Sequence, residues 1–297
     1  MAAEPRSLQG RVVAITGGAR GIGRATAAAL VSRGARVAIG DLDRELTEQA
    51  AAELGGETLA LELDVTRRES FAGFLDQVEE RLGSLDVLVN NAGIMPLGDF
   101  VDEDDLTARR QIDINVHGVL YGMKLALPRM QRRGSGHIVN IASQAGKAGF
   151  PGGATYSGTK HFVVGVTEAV RAELRGTPIE LSVVMPAVVN TELGSGLTET
   201  RAIKKLEPEQ VAEAIVSALE RPKFDVWIPR ESAAIFKVTN LLPRRAREVV
   251  ARMFKADKVL AEVDDSVRAP YEERAAQSEP ALEDDAAEAE KATAKSK

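Results

Sequence analysis

The sequence has no cysteine and only three histidines in 297 residues. The first absence excludes disulfides, thiol nucleophiles and thiolate-held zinc or iron–sulfur centres, and it fits a reducing compartment. The second leaves His117, His137 and His161, whose spacing matches no ligand pattern such as HExxH. All three are read as structural or surface residues, and no metal is expected. Basic charge is not in excess either, with 38 Lys and Arg against 44 Asp and Glu and a formal charge of -6. Such a balance offers no basic field to nucleic acid, so no nucleic-acid partner is expected. No run of about 18 apolar residues occurs, and the opening MAAEPRSLQG lacks the apolar segment of a secretory signal. A cytoplasmic protein is the expectation, long enough for one large α/β domain with an appendage.

What is present begins with a strand, a glycine turn and a helix. Val12 to Ile15 is an apolar run without alternation, as in a strand buried on both faces of a parallel sheet. Thr16 to Gly23, TGGARGIG, follows, and the alanine-rich stretch from Arg24 to Val31 reads as a helix closed by Gly34. Glycines at such a junction, here Gly17, Gly21 and Gly23, let the backbone approach a pyrophosphate while the helix N-terminus faces the anion. Arg20 and Ile22 lie in the same turn. The GxxxGxG spacing differs from the GxGxxG dinucleotide fingerprint.

The second strand, Arg36 to Ile39, ends at Gly40-Asp41. The Asp41 carboxylate is placed to accept hydrogen bonds from an adenosine ribose and to repel a 2′-phosphate, which favours NAD over NADP. Two readings compete with this. Asp41 also suits the cap of a helix starting near Asp43, and Arg20 offers a cation to a 2′-phosphate. A third strand, Thr58 to Leu63, leads to Asp64-Val65, a candidate contact for the adenine amino group. Arg67 to Leu82 has helical periodicity, and the fourth strand, Val87 to Val89, ends at Asn90-Asn91-Ala92-Gly93. Those small polar residues leave room for a ribose and nicotinamide across the strand end. Glu103 to Met130 should form a helix containing Asn115, a poor helix-interior residue that predicts a bend with a bound water.

His137 to Ala142 is the fifth strand, ending at Ser143; Thr155 to Leu174 is a helix; Ile179 to Met185 and Asp225 to Ile228 are the sixth and seventh strands. The alternation predicts a doubly wound parallel sheet of about seven strands with helices on both faces. Between Ser143 and Lys160 the chain reads SQAGKAGFPGGATYSGTK. Tyr156 and Lys160 share one helix face, one turn apart. A phenol titrates near 10 in water, so a neighbouring ammonium is expected to lower its pKa and fit it for proton exchange with an alcohol or carbonyl oxygen. Ser143 is placed to hydrogen-bond that oxygen.

TGGARGIG, NNAG, Asn115, Ser143 and YSGTK stand in the order and spacing of the short-chain dehydrogenase/reductase family, which the chain resembles from about Gly10 to Arg230. The resemblance implies a Rossmann-type, nicotinamide-dependent oxidoreductase. It implies that Tyr156 is the catalytic acid/base, that Ser143 positions the substrate oxygen, that Lys160 tunes Tyr156 and binds the nicotinamide ribose, and that Asn115 holds a water in a proton relay. Pro186, Val188 and Thr191, after the sixth strand, are expected at the nicotinamide. Pro186-Ala187 stands where many relatives carry Pro-Gly. A homodimer or homotetramer is also implied.

Three loops should wall the substrate site: Ile94 to Phe100, Gln144 to Gly153 and Val188 to Ile203. Their apolar residues Met95, Pro96, Leu97, Phe150, Val188 and Leu193 point to a lipophilic secondary alcohol or ketone, steroid-, retinoid- or long-chain-like. The alternatives are an NADPH-dependent carbonyl reductase using Arg20 and a non-catalytic NAD-binding regulator. With residues 1–234 read as the catalytic domain, residues 235–271 form a basic amphipathic helical extension that either packs over the pocket or a neighbouring subunit, or touches a membrane surface peripherally. Residues 272–297, rich in Ala, Glu, Asp and Lys, are expected to be a disordered tail.

Overall fold

The computed structural model describes residues 4–197 and 204–277. Seven strands carry the fold: β1 Val12–Thr16, β2 Arg36–Asp41, β3 Leu59–Glu62, β4 Val87–Asn90, β5 Gly136–Ile141, β6 Ile179–Pro186 and β7 Asp225–Ile228. They pair in parallel in the order β3-β2-β1-β4-β5-β6-β7. Strands such as VVAIT and VLVN are buried at every position, because helices cover both faces of the sheet.

One face is covered by α1 Gly21–Val31, α2 Arg44–Leu54 and α7 Pro208–Glu220, which pack Leu30, Ala50 and Ile215 against Val13, Ile15 and Val139. The other is covered by α3 Arg68–Leu82, α5 Gly118–Arg133 and α6 Ala154–Glu173, whose Phe71, Phe74, Met130 and Val163 meet Ala14, Leu88 and Ile138. The chain crosses from one face to the other between β1 and β4. A crevice therefore opens at the carboxyl ends of these two strands, where ligands of doubly wound sheets bind.

The expected helix from Glu103 to Met130 is interrupted. α4 Asp105–Ile112, capped by the Asp104 carboxylate accepting from Thr107 N at 2.9 Å, leads into one wide π turn, Asp113–His117, before α5 begins. The wide turn takes the place of the expected bend and holds Asn115, fully buried, toward β4.

Beyond β7 come α8 Ser232–Asn240, α9 Arg244–Met253 and α10 Asp265–Ala276. The acidic tail expected from residue 272 thus begins inside a helix. Asp264 caps α10 by accepting from Ser266 N and Val267 N, and Arg268, Tyr271 and Ala275 bury one face of it. Residues 278–297, and residues 198–203 of the third substrate loop, lie outside the described residues.

Candidate active site

One cavity of about 850 Å³ runs along the crevice from Asp41 past Tyr156 to Leu260. At its first end the backbone must turn from β1 into α1 within four residues, and Gly17 and Gly21 do so at φ +64° and +53°. Gly23 is required for a different reason: a Cβ there would lie 2.2 Å from the Gly17 carbonyl oxygen and 2.6 Å from Asn91 Nδ2. Asn91 Nδ2 donates to the carbonyls of Thr16 and Gly17 at 2.9 Å each, while Thr16 Oγ1 accepts from the backbone N–H of Asn91 and Ala92 at 3.0 Å. The NNAG stretch thereby fixes the glycine turn. The first turn of α1 has no acidic residue and no side-chain cap, so its N–H groups and positive dipole end remain available to an anion.

Asp41 ends β2 at the same edge. Its carboxylate accepts from Ala19 N at 3.3 Å and Leu42 N at 2.9 Å, and burial raises its pKa against the opposing pull of those bonds and of Arg20. Arg20 itself is engaged by two carboxylates, Asp43 at 3.3 Å and Glu192 at 3.1 Å. The cap of α2 falls to Asp43, which accepts from Leu46 N. Asp41 is therefore not the capping residue. Asp64 Oδ1 is held by the Thr66 N–H and hydroxyl, with Val65 beside it on the cavity wall.

In the middle of the cavity α6 presents Tyr156 and Lys160, both buried, with the Lys160 Nζ 5.7 Å from the Tyr156 ring centroid. Ser143 lines the same cavity, close enough for its hydroxyl to act on the Tyr156 phenol, and its Oγ accepts from Ala145 N at 3.1 Å. Lys160 Nζ donates to the Ile141 carbonyl at 3.0 Å. The pKa expectation is reversed in this arrangement. Burial pushes Tyr156 up to about 12, outweighing the Ser143 hydroxyl and the positive charge of Arg268, and burial pushes Lys160 down to about 8.

Asn115 lies behind the wall. Its Oδ1 accepts from Ile94 N at 2.9 Å, and its Nδ2 donates to the Ile94 carbonyl at 2.8 Å and to Thr159 Oγ1 at 3.1 Å. It holds the end of β4 in place, with Gly93 so close that a Cβ would sit 3.1 Å from Asn115 Oδ1 and 3.5 Å from Lys160 Nζ.

Of the residues expected to touch the cofactor, Gly17, Arg20, Gly21, Ile22, Asp41, Asp64, Val65, Asn91, Ala92, Gly93, Tyr156, Lys160, Pro186, Val188 and Thr191 all line this cavity; Gly23 sits behind Gly17. At the far end Met95, Phe150, Val188 and Leu193 are on the wall, as expected. Pro96 and Leu97 turn instead into a smaller cleft beside Phe100 and Glu103.

Part of the remaining wall is Val259, Leu260 and Tyr271, from the extension for which packing over the pocket was one expectation. Arg268, 2% exposed, straps this wall together by donating to the carbonyls of Leu193 and Ser195 at 3.0 Å and to that of Met95, while pairing with Glu272 at 2.6 Å. The Tyr271 hydroxyl accepts from Met95 N at 2.6 Å. No histidine lines the cavity: His137 is buried against Ser182, His117 pairs with Asp113, and His161 meets the Ser157 carbonyl. Among the described residues no group of three His, Cys, Asp or Glu is placed to hold a metal.

A glycine turn at the switch point, an acid at the end of β2 and a Tyr–Ser–Lys group midway along the cavity are the arrangement of a Rossmann-type dinucleotide oxidoreductase. The family model for short chain dehydrogenase matches residues 11–202, and the chain belongs to that family. An uncharacterized oxidoreductase of Staphylococcus saprophyticus is 32% identical over 228 residues, covering 73% of this chain and 93% of that protein. The crystal structure of a short chain dehydrogenase/reductase from Burkholderia phymatum in complex with NAD superposes with a TM-score of 0.73 at 25% identity, over 79% of this chain and 94% of that one. A 3-ketoacyl-(acyl-carrier-protein) reductase from Brucella melitensis complexed with NADH gives a TM-score of 0.69 at 27% identity, over 75% and 98% of the two chains. α8, α9 and α10 lie beyond the residues that the family model matches.

Proposed function

We propose that the protein is an NAD-linked dehydrogenase that moves a hydride between NAD(H) and a lipophilic secondary alcohol or ketone, steroid-, retinoid- or long-chain-like. The observation that carries the reading is the meeting of Tyr156, Lys160 and Ser143 midway along a cavity that has the glycine turn and Asp41 at one end and apolar walls at the other. When bound, the nicotinamide supplies the hydride chemistry. The protein supplies position and the proton. Ser143 holds the substrate oxygen, and Tyr156, kept protonated by burial, gives its proton to a ketone oxygen as charge develops there. Lys160 and Asn115 keep the strand end and the ribose edge in register through Ile141, Ile94 and Gly93.

Two features favour NAD over NADP. Asp41 places a carboxylate where a 2′-phosphate would lie, and the cation that would answer such a phosphate, Arg20, is already engaged by Asp43 and Glu192. The apolar substrate follows from Met95, Phe150, Val188, Leu197, Val259 and Leu260, which meet in one cluster around Tyr156. We also infer a homodimer or homotetramer, with the exposed Leu106, Ile112 and Phe162 on α4 and α6 as its apolar contact. Titrating the protein with NADH and NADPH, then assaying NAD reduction by a panel of lipophilic alcohols, tests the reading. Tighter NADH binding and turnover with apolar alcohols are expected; preference for NADPH would return the assignment to a carbonyl reductase.

A further inference from the structure

The segment after β7 presents a surface that the other described residues leave uncovered. α8 is fixed to the sheet edge by Trp227 and Phe236, whose ring centroids are 5.1 Å apart, and by buried Ser232, which accepts from Gln144 Nε2 at 3.0 Å. Beyond these anchors Ile235, Val238, Leu241, Val249, Met253 and Phe254 stand exposed, Leu241 by 85% and Met253 by 76%. α9 buries no residue at all.

The sequence of α9 sorts cleanly around its axis. At about 100° per residue, Ala246, Val249, Val250 and Met253 fall on one side. Arg244 and Glu248 fall opposite, and Arg245, Arg247 and Arg252 flank the apolar strip. Between Ser232 and Lys255 six basic residues, Lys237, Arg244, Arg245, Arg247, Arg252 and Lys255, face one acid, Glu248. This local excess of positive charge stands in a chain whose formal charge is -6.

We propose that α8 and α9 dock the protein on an anionic lipid surface. A bilayer of acidic lipids answers both halves of the pattern, taking the apolar strip below the headgroups while the flanking arginines reach the phosphates. A second copy of the chain answers only one half, because two-fold pairing of this face would bring like-charged arginine rows together. The contact is peripheral, since among the described residues no helix is long and apolar enough to cross a membrane. The chain then runs within five residues from Phe254 to Val259 and Leu260 on the cavity wall, so the docked face lies next in sequence to the site.

The test is co-sedimentation of the full-length protein with vesicles of phosphatidylcholine and of a phosphatidylcholine–phosphatidylglycerol mixture. Truncation from Ile235 would remove Leu260 and Tyr271 from the cavity, so exposed point substitutions are used. Binding is expected to the mixed vesicles only, weakening with salt. Arg245→Gln with Arg247→Gln should reduce it about thirty-fold, at roughly five-fold per cation, and Met253→Asp should reduce it independently. Unchanged melting temperatures will show that these variants stay folded. Absent binding, equal binding to neutral vesicles, or a concentration-dependent doubling of mass that the same substitutions abolish would each overturn the proposal, the last by showing a protein interface.

Discussion

Replacing Arg268 by Met tests the strap over the cavity. The substitution keeps an apolar stem but removes every donor, leaving the carbonyls of Leu193, Ser195 and Met95 and the carboxylate of Glu272 without their buried partner. The Glu272 side chain, 34% exposed, is readily rehydrated, so the cost comes from the stranded buried carbonyls, at about 1–3 kcal/mol each. The loss should stay local, because α10 contributes nothing to the two clusters that pack the sheet. Hydrogen exchange is therefore the right assay. Protection of Asp264 N, bonded to the Gly196 carbonyl at 2.9 Å, and of Arg268 N, bonded to that of Asp264, should fall about 10²- to 10³-fold. Amides in β1, β4 and β5 should be unaffected. Tyr271→Phe supplies a smaller step, since it strands only Met95 N–H, at about 1–3 kcal/mol. Unchanged protection of α10 in Arg268→Met would refute the strap, and so would loss of protection spread evenly over the sheet.

Other outcomes follow from the same geometry. Asp41→Ala should narrow the preference for NAD over NADP by about 10- to 100-fold, the worth of hydrogen bonds to a charged acceptor, as read by fluorescence titration of both reduced nucleotides. Gly23→Ala should abolish nucleotide binding, because its methyl carbon would overlap the Gly17 carbonyl and displace the whole turn. His137, pushed down to about 3 chiefly by burial and secondarily by Arg6, stays neutral when folded, whereas the unfolded chain takes up a proton near pH 6.5. Stability from this residue is thus complete above pH 6.5 and falls as the pH drops toward 3, by about 3 kcal/mol at pH 4.5. His137→Gln should flatten the slope of denaturant stability between those pH values.

Local chemistry makes much of the molecule legible in its sequence. The β1–α1 turn needs glycine for steric reasons that sequence spacing displays, and the YxxxK pair needs only a helix to share a face. A break in the helix at Asn115 is legible in the sequence, but its form as a π turn is not, since Asn115 there pairs with Ile94 across the cavity wall. α10 was hidden for a related reason. Its anchors are an arginine and a tyrosine set among Glu and Ala, and their partners stand some 170 residues earlier, at Met95. The sequence pairing of Tyr156 with Lys160 also suggested a lowered phenol pKa; the fold buries both groups, and desolvation dominates.

The most direct measurement of the central claim is turnover of NAD with a lipophilic secondary alcohol by wild type and by Tyr156→Phe, followed by reduced-nicotinamide absorbance. Loss of the proton-exchanging hydroxyl should lower kcat by at least about 10²-fold while NADH affinity stays the same. Turnover that survives in Tyr156→Phe would contradict the account.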